Sequence, residues 1–130
     1  MEKNKENALM EIGMLDTKTR ELEQQMMLID QQLQELKFLQ QDLDIFSKEG
    51  KKETLMPLSR NIFVKGDISD SESVLVNVGA GVIVKKSIKE AKELCENDEK
   101  KVSQLKEKLL NEITGIVNRM IAIEKNLRGN

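Results

Sequence analysis

From residue 8 to residue 43, apolar side chains recur at alternating spacings of four and three: Ala8, Ile12, Leu15, Thr19, Leu22, Met26, Ile29, Leu33, Leu36, Gln40 and Leu43. Nine of these eleven positions are apolar, and the gaps between them hold Glu, Gln, Lys and Asp. This is the sequence form of a coiled-coil seam sustained for about five heptads. It predicts a first helix over residues 1–50, with Lys48 and Gly50 as its stop. The C-terminal part repeats the device. A strict seven-residue series runs Ile88, Cys95, Val102, Leu109, Ile116 and Ile123, joined distally by Ile113, Met120 and Leu127. Nearer the start, the second series reads Lys92, Glu99 and Lys106, with Ala91, Leu94 and Leu105 as apolar neighbours. That substitution predicts a seam that changes its facing angle there. Ser87 and Glu90 form a capping box, so a second helix is expected over 87–129, with Arg128 and Gly129 at its end.

Between the helices, residues 54–86 switch to short β-type runs. ETLMPL, NIFVKGDI, SVLVNV and VIVKKS are separated by Ser59 and Arg60, by SDSE and by GAG. Ile62, Val64 and Ile68 alternate with polar Asn61, Lys65 and Asp67, and Val74, Val76 and Val78 alternate with Ser73 and Asn77. Turns this short make each pair of strands a hairpin. Two helical arms of about 42 residues, roughly 60 Å each at about 1.5 Å per residue, then leave one β body and pair antiparallel. The fold class expected is α+β: one domain, a long antiparallel two-helix coiled coil with two β-hairpins at the connecting end.

The GAG at Gly79 to Gly81 invites a nucleotide reading. A dinucleotide fingerprint needs a third glycine and an immediate helix, but Val84 stands in the third place and VIVKK continues as a strand. The glycines instead serve a hairpin bend or bulge.

Composition narrows the function further. Charged residues are 34% and aromatics 2%, with no Trp, Tyr or His, which suits long helices better than a globular interior. Without His, and with Cys95 alone, neither a Ser/His/Asp nor a Cys/His arrangement can exist, and a zinc site would need carboxylates. No internal disulfide can form, and no apolar run is long enough for a signal peptide or membrane span; a soluble cytoplasmic protein is expected. Net charge is −2, divided as −4 over 1–53, +1 over 54–86 and +1 over 87–130. The two arms are weakly complementary, and no basic stripe or stacking aromatic offers a nucleic-acid groove. The abundant carboxylates form no pair that a pocket would single out, so an enzyme is not expected, and neither is a cofactor or metal.

The middle segment TLMPLSRNIFVKGDISDSESVLVNVGAGVIVKKSIKEA, set between two heptad helices of matching length, resembles the α-type subunit of prefoldin. The likeness rests on the MP turn, the F/V-K-G strand, the VNVGAGV segment and the K-S helix start, and two hairpins point to the α-type over the β-type. The resemblance implies an ATP-independent holding chaperone. Two α-type and four β-type subunits would join their hairpins into a double β-barrel bearing six coiled coils. The coiled-coil tips would hold non-native polypeptide and pass it to a group II chaperonin, with no nucleotide or metal.

Two residue sets carry that expectation. Leu9, Met10 and Met14, with Val117, Ile121 and Leu127, lie beside the seam near the tips and are candidates for client binding, as alternatives to a merely broader helix interface. Flexible Met side chains suit such a grip because they repack against many surfaces. Leu58, Ile62, Val64, Ile68, Val74, Val76, Val78, Val82 and Val84 are the oligomerisation candidates, since unpaired strand edges are an aggregation hazard unless neighbours close them. Cys95, on the strict heptad series, is expected to be a small buried apolar side chain. The alternative function is a structural filament, self-assembled through the same hairpins.

Overall fold

The computed structural model describes residues 2–50 and 52–129. The element order is α1 (Glu2–Glu49), β1 (Lys52–Ser59), β2 (Ile62–Ile68), β3 (Ser73–Gly79), β4 (Val82–Ser87) and α2 (Ile88–Gly129). Two long antiparallel helices thus enclose two β-hairpins in sequence. The chain forms two compact units, one of Met1–Gln34 with Lys100–Asn130 and one of Glu35–Glu99.

In the first unit, heptad periodicity translates directly into burial. Ala8, Ile12, Leu15, Thr19, Leu22, Met26, Ile29 and Leu33 are all buried or half-buried, and Leu22 is the most enclosed of them. On α2, Val102, Leu109, Ile113, Ile116, Met120 and Ile123 are likewise withdrawn from solvent. Leu22 and Ile123, the large aliphatic side chains buried here, each contribute about 1.5–3 kcal/mol relative to exposure. Glu11 and Arg119 close this unit across the seam, with the Arg119 Nε and Nη2 groups donating to the two carboxylate oxygens at 3.0 and 3.4 Å.

The second unit is centred on Leu43, Ala91 and Cys95, with Leu36, Val74 and Ile88 packed against them. Here the expected turn of the α2 seam is seen only at its first position, where Ala91 is buried beside Cys95, and it does not extend to Leu94 or Leu105. Lys92 and Glu99 stay half-buried on the seam, as does Lys106 in the first unit, whereas Leu94 and Leu105 stand in solvent. Polar pairing explains it: Lys92 Nζ meets Asp44 at 2.5 Å, Gln40 Nε2 donates to Glu99 at 2.9 Å, and Lys106 Nζ meets Asp30 at 2.7 Å. A lysine can lay its methylene stem along the seam and deliver its ammonium to the rim, where α1 supplies the carboxylate. Lys92, Glu99 and Lys106 thus keep the second series half-buried as three polar layers, with Ala91 added to the core beside the first. Hydrogen bonding from Lys92, supplemented by Lys92 and Lys48 charge, lowers the Asp44 pKa below its ordinary value.

Helix ends follow their sequence signals. Gly50 takes φ +69°, the left-handed conformation that ends a helix after Glu49. At the start of α2, the Glu90 amide donates to Ser87 Oγ at 3.1 Å while the Ser87 amide donates to Glu90 Oε1 at 3.3 Å. This reciprocal cap lowers the Glu90 pKa, through the Ser87 backbone first and its hydroxyl second.

The hairpins share one construction. β1 pairs antiparallel with β2 and β3 with β4, as two separate two-stranded sheets. Each closes through a two-residue turn in which both residues have positive φ: Arg60 and Asn61 at 47° and 65°, Ala80 and Gly81 at 51° and 75°. Such turns carry a twist that matches the flanking strands. Each also shifts register just before its turn, between Pro57 and Ser59 in one and between Asn77 and Gly79 in the other. Between the hairpins, Asp70 organises the loop: its carboxylate accepts from the Glu72 amide at 2.9 Å and from the Ser73 hydroxyl. The Ser73 bond is the main cause of its lowered pKa.

Candidate functional site: the uncovered apolar surfaces

Heptad geometry needs only the seam positions for helix pairing. Many apolar residues of the two helices lie outside it and are exposed. On α1, Leu9, Met10 and Met14 are exposed, with Met10 at 66% and Met14 at 71%. Met10 and Met14 are four residues apart, hence neighbours on one helical face. They line a shallow open concavity with Gly13, Leu15, Thr17, Lys18 and Glu21. On α2, Val117 and Ile121 are also exposed. Leu127 differs from the other five tip candidates: it is half-buried and lines a second concavity with Ala8, Glu11, Arg119 and Ile123. The structure thus brings Met10 and Met14 together and assigns Leu127 to the edge of the seam.

The hairpin candidates also divide. Val74 belongs to the chain's own core, against Leu43, Ala91 and Cys95, and Ile68, Val76 and Val84 are half-buried. Leu58, Ile62, Val64, Val78 and Val82 are exposed toward the turn ends. The opposite strand faces hold a set that the alternation pattern passed over: Leu55, Phe63, Leu75 and Ile83, with Phe63 at 54% and Leu75 at 73%. Their signal was present in the sequence as apolar residues interleaved with Val64, Val74 and Val84, which makes the strands apolar on both faces. Continuous apolar runs of this kind mark strands that are covered on two sides. Among the described residues no third strand joins either hairpin, and Leu55, Phe63, Leu75 and Ile83 remain exposed.

Cys95 is buried, as its heptad position predicts. Burial is the first cause of its raised thiol pKa, followed by the charges of Asp98, Glu96 and Glu99. Among the described residues no group of three or more acidic or Cys side chains is gathered to hold a metal, and no helix is long and apolar enough to cross a membrane.

These features can be set beside known proteins. The sequence pattern of the prefoldin subunit family matches residues 9–130. Prefoldin subunit alpha of Thermofilum pendens is 35% identical over 85 residues, which cover 65% of this chain and 66% of that protein. Prefoldin subunit alpha of Archaeoglobus fulgidus is 28% identical over 107 residues, covering 76% of this chain and 78% of that one. A chain in the cryo-EM structure of filamentous PFD from Methanocaldococcus jannaschii has the same fold, with a TM-score of 0.53 at 19% identity over 95% of this chain and 97% of its own. Helices, hairpins and the family match over nearly the whole length agree: the chain belongs to the prefoldin family, as an α-type subunit.

Proposed function

We propose that this chain is the α-type subunit of an ATP-independent holding chaperone in the cytoplasm, with no catalytic step, and that its 130 residues act as one functional domain. In this reading, two such subunits join four β-type subunits through their hairpins into an oligomeric β-barrel. Leu58, Ile62, Val64, Val78 and Val82 supply contacts, with smaller contributions from Ile68, Val74, Val76 and Val84. Non-native polypeptide is held at the helix tips and delivered to a group II chaperonin. The observation that carries the reading is the exposure of Leu9, Met10, Met14, Val117 and Ile121 on helices whose seam is already filled by other side chains. Such a surface serves transient apolar contacts with a partner outside the chain.

The test replaces Met10, Met14 and Ile121 with Ser in the assembled protein. Assembly mass should be unchanged, and suppression of aggregation of an unfolded client without ATP should fall. Full suppression by the intact mutant assembly would sink the tip assignment. The open strand edges also support a second reading, a filament built by continued edge pairing that never closes. Native mass separates the two: a closed hexamer with a β-type partner favours the chaperone, and open-ended growth of the chain alone favours the filament.

A further inference from the structure

The described sulfur atoms fall into two environments. Cys95 is buried in the core of the second unit, and its thiol pKa is raised by desolvation and three acidic neighbours, so little reactive thiolate is presented to solvent. Met26 and Met120 are half-buried on the seam. Met10 and Met14, by contrast, stand in solvent one helical turn apart. Gly13 between them has no side chain, and a Cβ built there would meet nothing within 4 Å, so both thioethers border open space in the shallow concavity that Thr17, Lys18 and Glu21 continue.

We infer that Met10 and Met14 form an oxidation-sensitive site at which sulfoxide formation switches off holding by the tip. The inference rests on the tip reading above and adds its regulation. The chemistry is a two-electron oxidation of the thioether by a hypohalous acid. The thioether sulfur lone pair attacks the chlorine of hypochlorous acid and hydroxide leaves; water then displaces chloride from the chlorosulfonium with loss of protons, so the sulfur is oxidised to the sulfoxide as the chlorine is reduced to chloride. Each event replaces a flexible apolar surface with a strongly polar S–O group, and methionine sulfoxide reductases reverse it. A sulfoxide resists the desolvation that an apolar client contact requires, whereas neither residue takes part in the seam, so the helix pair survives the change. Met27 and Met56 are also exposed but lie outside this concavity, and their oxidation should leave holding intact.

The experiment treats the assembled full-length chain with hypochlorous acid, maps oxygen addition by peptide mass spectrometry and measures client aggregation without ATP. The parent should lose most of its holding when Met10 and Met14 are oxygenated and recover it on incubation with the two reductases. A Met10→Leu, Met14→Leu variant, which keeps apolar volume but has no thioether, should hold before oxidation and retain that capacity after it. Two results would overturn the inference: equal loss of holding by the Leu variant, or undiminished holding by a parent oxygenated at both positions. A Met10→Ser, Met14→Ser variant that holds as well as the untreated parent would overturn the tip reading itself, a result distinct from either of these.

Discussion

The two hairpins have the same turn, the same register shift and the same strand pairing, yet they stand in different relations to the helices. Hairpin β3–β4 is anchored. Val74 packs against Leu43, Ala91 and Cys95, the Ile88 amide donates to the Glu72 carbonyl at 3.3 Å, and β4 runs directly into the capped start of α2. Among the described residues hairpin β1–β2 contributes none to that core, and an exposed ion pair between Lys52 and Glu49 at 3.2 Å links it to α1. Its strands are also packed differently within themselves. The Met56 side chain lies across Gly66, where a Cβ would collide with it. An exposed ion pair contributes little. The anchored hairpin is therefore part of the folding unit, while the other draws less from its own chain and has more apolar surface to offer a partner.

The comparison breaks most visibly in the core. Leu43→Ala should cost about 2–5 kcal/mol, as for other buried leucines, and chemical denaturation would read it. Phe63→Ser in the outlying hairpin should change the stability of the unassembled chain by no more than about 0.5 kcal/mol, as at other exposed sites, while native mass reports impaired assembly. A large stability loss for Phe63→Ser would show that β1–β2 is bound into the fold as firmly as its counterpart.

The turns give a smaller contrast. Gly81 has φ +75°, and Gly81→Val should destabilise the anchored hairpin by about 1–2 kcal/mol, because a side chain in the left-handed region clashes with the backbone. The equivalent turn position in the outlying hairpin is already occupied by Asn61 at φ +65°. Asn tolerates that region better than most residues. Asn61→Val should thus disturb strand pairing locally, with little shift in the global unfolding midpoint, and hydrogen exchange would distinguish the two.

The smallest effects concern the polar joints of the anchored hairpin. Ser87→Ala should cost about 1 kcal/mol through loss of the cap, seen as a lower denaturation midpoint. The carboxylates of Asp70 and Glu90 have folded-state pKa values below their unfolded ones. Their contribution is therefore present above the unfolded carboxylate range and is lost as pH falls through the folded values. Acid titration followed by NMR should loosen the Asp70 loop and the start of α2 before β1–β2 responds, and Ser87→Ala should weaken the pH dependence at Glu90. A stability profile flat through the carboxylate range would contradict this.

Much of the architecture was legible along the chain because both helices obey a repeat that burial depends on directly. The positions read as the α1 seam, Thr19 and Gln40 included, are all withdrawn from solvent, joined by Glu11, Asp16, Asp44 and Phe46 beside them. The capping box and the paired glycines were equally readable, since caps and turns are local chemistry. Less legible was the α2 seam around Lys92, Glu99 and Lys106. Charged residues there suggested a turning helix, but whether a lysine can sit on a seam depends on Asp30 and Asp44, which lie far away in sequence.

The sequence by itself determined the two helices, the two hairpins, their order and the unsuitability of this chain for His- or Cys-based catalysis, because periodicity, turn chemistry and residue inventory are properties of neighbouring residues. Only the tertiary structure decided which hairpin joins the core, which polar groups share the seam and that Met10 and Met14 border a shallow open concavity. Those outcomes depend on contacts between residues distant in the chain, and an apolar side chain looks the same in sequence whether or not something covers it.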